Sequence, residues 1–392
     1  MSNPPAPAPN VFTNMTSEVF ITRTAAFLPF EPVNNDEMES VLGMVGGKPS
    51  KARRMVLRSN GIQSRHYAID RSTGKNAMSN ARLSAEAIRA LGADIGPVDS
   101  LAVGTSMPDQ LMPNHAVMVH GELGWPRLEV VSLAGICVSG AAALKHAFLA
   151  VKSGEARRAV ACASELASSG LRGEFYQPEA EHQIAALEQE PHLAFEKDFL
   201  RWMLSDGAGA MLLESAPRGP LSLRIEWIDL SSAAHELSAC MYMGADKNPD
   251  GSLSSWRNSS YAEWGERSMF AVKQDVKQLN EHVIRATLTE PLALIAAKRQ
   301  LKAEDIDWFL PHFSSMYFAE PVAAGLRAAG VDIPRERWFT NLTRCGNTGS
   351  ASPYIMLDEL FRSGRIERGQ RILMYIPESG RFSSGFVLLQ AV

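Results

Sequence analysis

Apolar residues in this chain fall into short continuous runs alternating with amphipathic stretches, and the alternation occurs twice. The stretch AEAIRALGA (85–93) has helical spacing, and Val98–Ser106 follows it as an apolar run that begins beside an Asp and ends in Ser. In the second half LALIAAKRQLKA (292–303) is followed by Ile306–Ser314, built the same way. Each pair predicts a helix and then a buried strand. A second pairing is closer. Cys137-Val138-Ser139-Gly140 opens AAALKHAFLAVKSG, which ends at Gly154. Asn347-Thr348-Gly349-Ser350 opens ASPYIMLDELFRSG, which ends at Gly364 after the same interval. Both glycines follow a basic residue and a Ser, a helix C-cap signal. An apolar strand then follows each, RRAVACAS (157–164) and RILMYIP (371–377). A glycine-bearing strand closes each unit, DGAGAMLLE (206–214) and RFSSGFVLLQ (381–390).

The chain therefore reads as a duplicated α/β unit, two mostly parallel layers related by a pseudo-twofold axis. The expected organisation is a disordered Pro-rich lead at 1–17, an N-terminal half at 18–220 and a C-terminal half at 221–392. The first half carries an acidic insertion at about 166–200. A helical cap at the pocket or dimer edge and a plain surface insertion both fit it. The irregular region 231–268, with Met241, Met243, Trp256 and Trp264, reads either as a lid over an apolar pocket or as loop packing.

Composition removes several function classes. A net charge of −4 gives no basic field for nucleic acid or an anionic membrane. The four cysteines have no CxxC pair, which speaks against a disulfide framework or a zinc site and for a reducing compartment. No metal-ligand spacing appears elsewhere. The Pro-rich start lacks the basic and apolar regions of a signal peptide, and no run is long enough to span a bilayer. A cytoplasmic protein is expected.

The duplication places Cys137 and Asn347 at equivalent strand-to-helix turns. It puts His312 just past the carboxyl end of a buried strand, where sites form in open α/β sheets. A helix N-terminus after Cys137 favours a thiolate. Each residue also has a plain reading. Cys137 fits a small buried hydrophobe, His312 a satisfied core histidine, and Asn347 a turn or N-cap residue. Cys162, Cys240 and Cys345 read as structural.

The Cys137 turn, DGAGA at 206–210, Pro311-His312, Gly346-Asn347-Thr348 and the Gly380-Arg381-Phe382 loop together resemble β-ketoacyl-carrier-protein synthase III enzymes of the thiolase superfamily. The resemblance runs from about Val19 to Val392. It implies a five-layered αβαβα fold and a homodimer. It implies that Cys137 is acylated by a primer thioester. His312 and Asn347 would then hydrogen-bond the second thioester carbonyl and stabilise an enolate. The backbone N–H groups of Cys137 and Gly380 would form the oxyanion hole. Substrates would be acyl-carrier-protein or acyl-coenzyme A thioesters, with no bound cofactor and no metal. A Claisen condensation needs a good acyl acceptor and a stabilised carbanion, and these groups supply both.

Departures from the family pattern narrow the reading. Met112, not an acid, stands 25 residues before the nucleophile, where members of the family reach into the partner's pocket. The segment Lys51-Ala52-Arg53-Arg54, with Arg58 beyond it, is basic where primary-metabolism members place a Trp. It reads as a site for a pantetheine phosphate or an acidic carrier protein, or as a solvated helix face. Tyr317 replaces an Arg that contacts the carrier. The basic segment, the FLPFEPVNNDEME opening and the acidic insertion look most like the dialkylresorcinol- and cyclohexanedione-forming ketosynthase-cyclases of secondary metabolism. A simple acetoacetyl-forming priming synthase remains an alternative. A cysteine hydrolase and a non-catalytic or partner-dependent ketosynthase subunit stand as rivals from other classes.

Overall fold

The computed structural model describes residues 17–50, 53–176 and 200–392. Most of the Pro-rich lead, Lys51, Ala52 and residues 177–199 of the acidic insertion lie outside the described residues. Nine strands make the main sheet: β1 (Phe20–Phe27), β2 (Ser100–Thr105), β3 (Glu129–Ala134), β4 (Arg158–Glu165), β5 (Gly207–Glu214), β6 (Leu223–Ser232), β7 (Trp308–Pro311), β8 (Arg371–Glu378) and β9 (Ser383–Ala391). The helices used below are α1 (Arg53–Asn60), α2 (Asn80–Arg89), α3 (His115–Leu123), α4 (Val138–Ser153), α5 (Val276–Ile284), α6 (Glu290–Arg299), α7 (Ala319–Ala328) and α8 (Ser352–Arg362).

The strand order is β7-β8-β9-β6-β1-β5-β4-β2-β3. In one wing β2 runs parallel to both β3 and β4, and β5 and β1 continue it antiparallel. In the other wing β7 is parallel to β8, and β9 and β6 continue it antiparallel. On its other side β7 makes a single parallel bridge, Phe309 to Trp338, where the first wing has the whole strand β3. The wings meet where Phe20 and Ile21 pair with Arg224 and Leu223. The two layers are thus hydrogen-bonded into one sheet, a join that the repeated pattern did not reveal.

Helices fill three further layers. Leu144, Ala147 and Val151 of α4 and Tyr354, Leu357 and Leu360 of α8 share one core with Met211 from the first wing and Ile372 from the second. Leu83 and Ile88 of α2 and Val119 of α3 cover the outer face of the first wing. Leu279, Leu292 and Leu326, from α5, α6 and α7, cover the outer face of the second. The result is helix, sheet, helix, sheet, helix. Strands buried on both faces need no polar alternation, and β2 and β5 are buried at every position.

The middle layer explains the small residues of VSGAAALKHAFLAVKS. A Cβ on Gly140 would lie 2.4 Å from the carbonyl oxygen of Ser350. A Cβ on Gly209 would lie 2.4 Å from the Cβ of Tyr354. The first turn of α4 therefore rests directly on the approach to α8. Gly154 ends α4 at φ +83°, donating its N–H to Val151 O. Among the described residues no helix is long and apolar enough to cross a membrane.

Gly140→Ala should lower the unfolding free energy by about 1–3 kcal/mol through overpacking. Urea denaturation followed by circular dichroism reads this. An unchanged midpoint would show that the helices can move apart freely.

Candidate active site

Two strand ends and two helix starts converge at one end of the middle layer. Cys137 follows β3 and is the residue from which α4 begins. His312 follows β7, with its N–H donated to Tyr375 O at 2.8 Å. Asn347 precedes α8 and is pinned through its backbone, N–H to Met203 O at 2.9 Å and C=O from Ser205 N–H at 2.8 Å. All three line one narrow cavity of about 50 Å³, walled by Met203, Leu279, Val283 and Phe318. A second cavity, of about 240 Å³, is walled by Met107, Leu204, Met243 and Val272. Cys137, Asn347 and Met241 border both. The irregular region after β6 thus contributes wall, with Met241, Tyr242 and Met243 on the second cavity. Trp256, Trp264 and Phe270 form an edge-to-face cluster behind it.

The side-chain amide of Asn347 has a defined orientation. Its Oδ1 accepts from Gly349 N–H at 2.9 Å, which leaves Nδ2 free to donate, since it bonds to no described residue. The His312 ring likewise hydrogen-bonds to no described residue. At the Gly380 loop a Cβ would come within 2.7 Å of Ile136 Cδ1, so this position accepts no larger residue without displacement. The N–H groups of Gly380 and Cys137 donate to no described residue. The Gly380 carbonyl, in contrast, is taken by Cys240 and Met241.

The comparisons with known proteins bear on the fold and the kind of protein this chain resembles. The family model described as 3-oxoacyl-[acyl-carrier-protein (ACP)] synthase III, C terminal, matches residues 296–387. The β-ketoacyl-[acyl-carrier-protein] synthase III of Xanthomonas oryzae pv. oryzae is 26% identical over 373 residues, 94% of this chain and 97% of that protein. Among solved structures, AbyA1, a tetronic acid condensing enzyme, superposes with a TM-score of 0.70 at 18% identity, covering 95% of this chain and 99% of that one. Xanthomonas campestris OleA with bound lauric acid and lauroyl-CoA gives a TM-score of 0.70 at 19% identity, covering 96% of this chain and 100% of that one. The chain is similar to β-ketoacyl synthase III enzymes over nearly its whole length and shares their fold.

The electrostatics of this synthase III-like site differ from the expectation of a resting thiolate. Burial pushes the Cys137 thiol well above its usual range, and Glu378 and Glu165 push it further, with a small opposing effect from its own N–H. The helix start cannot compensate, because its free donors are engaged elsewhere. Val138 N–H goes to Glu378 at 3.0 Å and Ser139 N–H to Ile136 O. A helix terminus is worth about 0.3–1 kcal/mol, less than burying a charge beside two carboxylates. Burial also lowers the His312 imidazole to about 4, so it is neutral at physiological pH.

Two site residues escaped the sequence reading. Glu165 ends β4, is buried, and accepts from the N–H and hydroxyl of Ser106 and of Ser350. Glu378 ends β8 and accepts from Ile136 and Val138 N–H. Both stand at carboxyl strand ends, the signal that located His312, but neither matched a motif. Among the expected substrate contacts, Arg53 is paired with Glu39 at 2.8 Å. Arg54 and Arg58 are exposed on α1 and line neither cavity. Met112 is 85% exposed and lines neither cavity of its own chain. Cys162, Cys240 and Cys345 are buried, their thiols pushed up to about 12, about 12 and about 11.

Alkylation of Cys137 by iodoacetamide should be slow at pH 7 and still rising above pH 9. The thiolate fraction grows only as pH climbs through a raised pKa. Peptide mass spectrometry across pH 6–10 measures this, and a plateau below pH 8 would contradict it. Turnover should show no His312 limb between pH 5 and 7, since the ring protonates near 4.

Proposed function

We propose that this chain joins two acyl thioesters by Claisen condensation through an acyl-Cys137 intermediate. One observation carries the proposal: two apolar cavities meet at Cys137 and Asn347. A single nucleophile between two greasy chambers suits a reaction in which one acyl chain waits on sulfur while another is brought to it. The first thioester acylates Cys137 and releases its thiol carrier. The N–H groups of Cys137 and Gly380 receive the carbonyl oxygen in the tetrahedral intermediate. The second thioester carbonyl lies against His312 and Asn347. Its enolate forms when the bond from the α-carbon to a carboxylate breaks with release of carbon dioxide, or when the α-proton is lost to solvent, the electron pair of the broken bond staying on the substrate. A neutral imidazole N–H and the free Nδ2 of the amide stabilise its enolate, each worth about 3–4 kcal/mol in a dry site. The enolate carbon attacks the acyl-Cys137 carbonyl, and the new carbon–carbon bond frees the sulfur.

The condensed β-ketoacyl product is proposed to close to a ring, a cyclohexanedione or dialkylresorcinol precursor. The basic α1 segment, the FLPFEPVNNDEME opening and the two cavities that meet at Cys137 support that assignment. The similarity to AbyA1, a tetronic acid condensing enzyme, and to OleA with lauric acid and lauroyl-CoA is consistent with acyl-chain condensation. Arg54 and Arg58, exposed on α1, suit the phosphate of a pantetheine arm, carried on coenzyme A or on an acyl carrier protein. We also propose a homodimer. β3 is the outer strand of the sheet, with Ala134 exposed at its end, and Leu111 and Met112 are 71% and 85% exposed nearby in the chain. An unpaired edge beside exposed apolar residues calls for cover.

Intact-mass spectrometry with a panel of acyl thioesters tests the chemistry. Wild-type enzyme should gain the acyl mass, Cys137→Ala should gain none, and His312→Ala should acylate yet condense roughly 10²–10³-fold more slowly. Turnover by Cys137→Ala would end the covalent reading. The same acyl group offered on coenzyme A and on carrier protein identifies the donor, and product analysis distinguishes a linear from a cyclised chain. Light scattering should give the mass of two chains, and a monomer at micromolar concentration would remove the dimer.

A further inference from the structure

The turn that presents Cys137 is held by a side chain distant in sequence. Glu378 Oε2 accepts from Ile136 N–H at 3.0 Å and from Val138 N–H at 3.0 Å. These donors flank the nucleophile on both sides, and the N–H between them, that of Cys137, is left unengaged by any described residue. Glu378 also stands two residues before Gly380. Its other oxygen bonds to no described residue and lies 3.5 Å from where a Gly380 Cβ would be. One carboxylate therefore fastens the loop bearing Gly380 to the turn bearing Cys137. Burial accounts for its cost as well as its grip. A carboxylate is retained in a largely buried place where two backbone donors would otherwise be orphaned.

We propose that Glu378 is a positioning residue that sets the Cys137 and Gly380 N–H groups in register as one oxyanion hole, and that its charge opposes thiolate formation at Cys137. The first part rests on the reading of Cys137 as the acylated nucleophile. The second does not, since it concerns the free thiol. Three titratable groups surround that thiol. Glu378 comes from the end of β8, Glu165 from the end of β4, and His312 from the end of β7. The imidazole is uncharged near neutrality, and Glu165 is engaged with Ser106 and Ser350. Glu378 is the charge that also grips the turn. Its carboxyl is itself raised by burial, with both backbone donors pulling the other way.

Two substitutions separate grip from charge. Glu378→Gln keeps a carbonyl oxygen able to accept from Ile136 and Val138 but removes the charge. Glu378→Ala removes both. The first measurement is iodoacetamide alkylation of Cys137 against pH, with no substrate present. In Glu378→Gln the alkylation midpoint should move to lower pH, because a negative charge beside the thiol is gone. The second is the rate of acyl-enzyme formation by mass spectrometry. Glu378→Ala should acylate roughly tenfold or more slowly through loss of alignment, and Glu378→Gln should recover most of that rate. An alkylation midpoint in Glu378→Gln equal to that of the unaltered enzyme would overturn the electrostatic half, and a purely structural role predicts that result. Glu378→Ala acylating at the unaltered rate would overturn the positioning half. If the unaltered enzyme accepts no acyl group from any thioester, the proposed function fails instead, while the alkylation profile still decides the role of the charge.

Discussion

The site depends on two helices being buried by both wings of the sheet at once. α4 and α8 contribute to a single core that draws on strands from each wing. A helix covered on two opposite sides cannot carry large residues where it meets its neighbour. Gly140 is therefore set against the Ser350 carbonyl, and Gly209 against Tyr354. Once the helices cross this closely, the turns that begin them are brought to one place. Those turns carry Cys137 and Asn347. The strand ends around them supply the rest, with His312 after β7, Glu165 at the end of β4 and Glu378 at the end of β8. The placement of the candidate site is in this sense a by-product of packing both wings of the sheet onto one helical layer.

That geometry has an electrostatic consequence. Turns buried between sheets leave backbone N–H groups without partners, and two carboxylates satisfy them. Glu165 takes four donors from Ser106 and Ser350, and Glu378 takes two from either side of Cys137. Each lies close enough to raise the thiol. For a hydrolase whose thiolate must be ready at rest, this would be an unfavourable design. For an enzyme whose sulfur is charged only during acylation and carries a neutral thioester afterwards, the penalty falls on a brief step. It also protects an accessible thiol from alkylation and oxidation while no acyl donor is bound.

Much of this was legible in the chain because local signals agreed with the global fold. The strands Arg158–Glu165 and Arg371–Glu378, and the glycine-bearing strands after them, announced themselves as short apolar runs in the same order in each half. Gly154 and Gly364 marked the ends of the central helices through the left-handed turns they allow, φ +83° and +72°. Cys137, His312 and Asn347 stood out because each sits at a repeated turn, and the structure brings them to one cavity. Glu165 and Glu378 could not. A carboxylate that braces a turn is defined by donors far away in sequence, and nothing in Pro377-Glu378-Ser379 says that its partners are Ile136 and Val138. The helix-dipole argument for a thiolate failed for the same reason. It counted the N–H groups at the start of α4 without knowing that Glu378 had claimed one. The joining of two layers into one sheet through Phe20 and Ile21 was equally hidden, since it depends on the edge rather than the interior of each repeat.

The proposed condensation finally asks why its two carbonyl-binding groups are neutral. A lysine or arginine would hold an enolate more strongly in isolation. In a cavity walled by Met203, Leu279, Val283 and Phe318 it would first have to be stripped of water. A permanent buried cation also binds the ground-state carbonyl and any stray carboxylate, so the gain specific to the transition state shrinks. An imidazole held neutral by burial and an amide whose oxygen is already occupied by Gly349 have none of these costs. They offer one donor each and gain strength only as charge develops on the oxygen between them. The same apolar walls that keep the imidazole neutral exclude water, the competitor that would otherwise hydrolyse an acyl-enzyme before a second chain arrives.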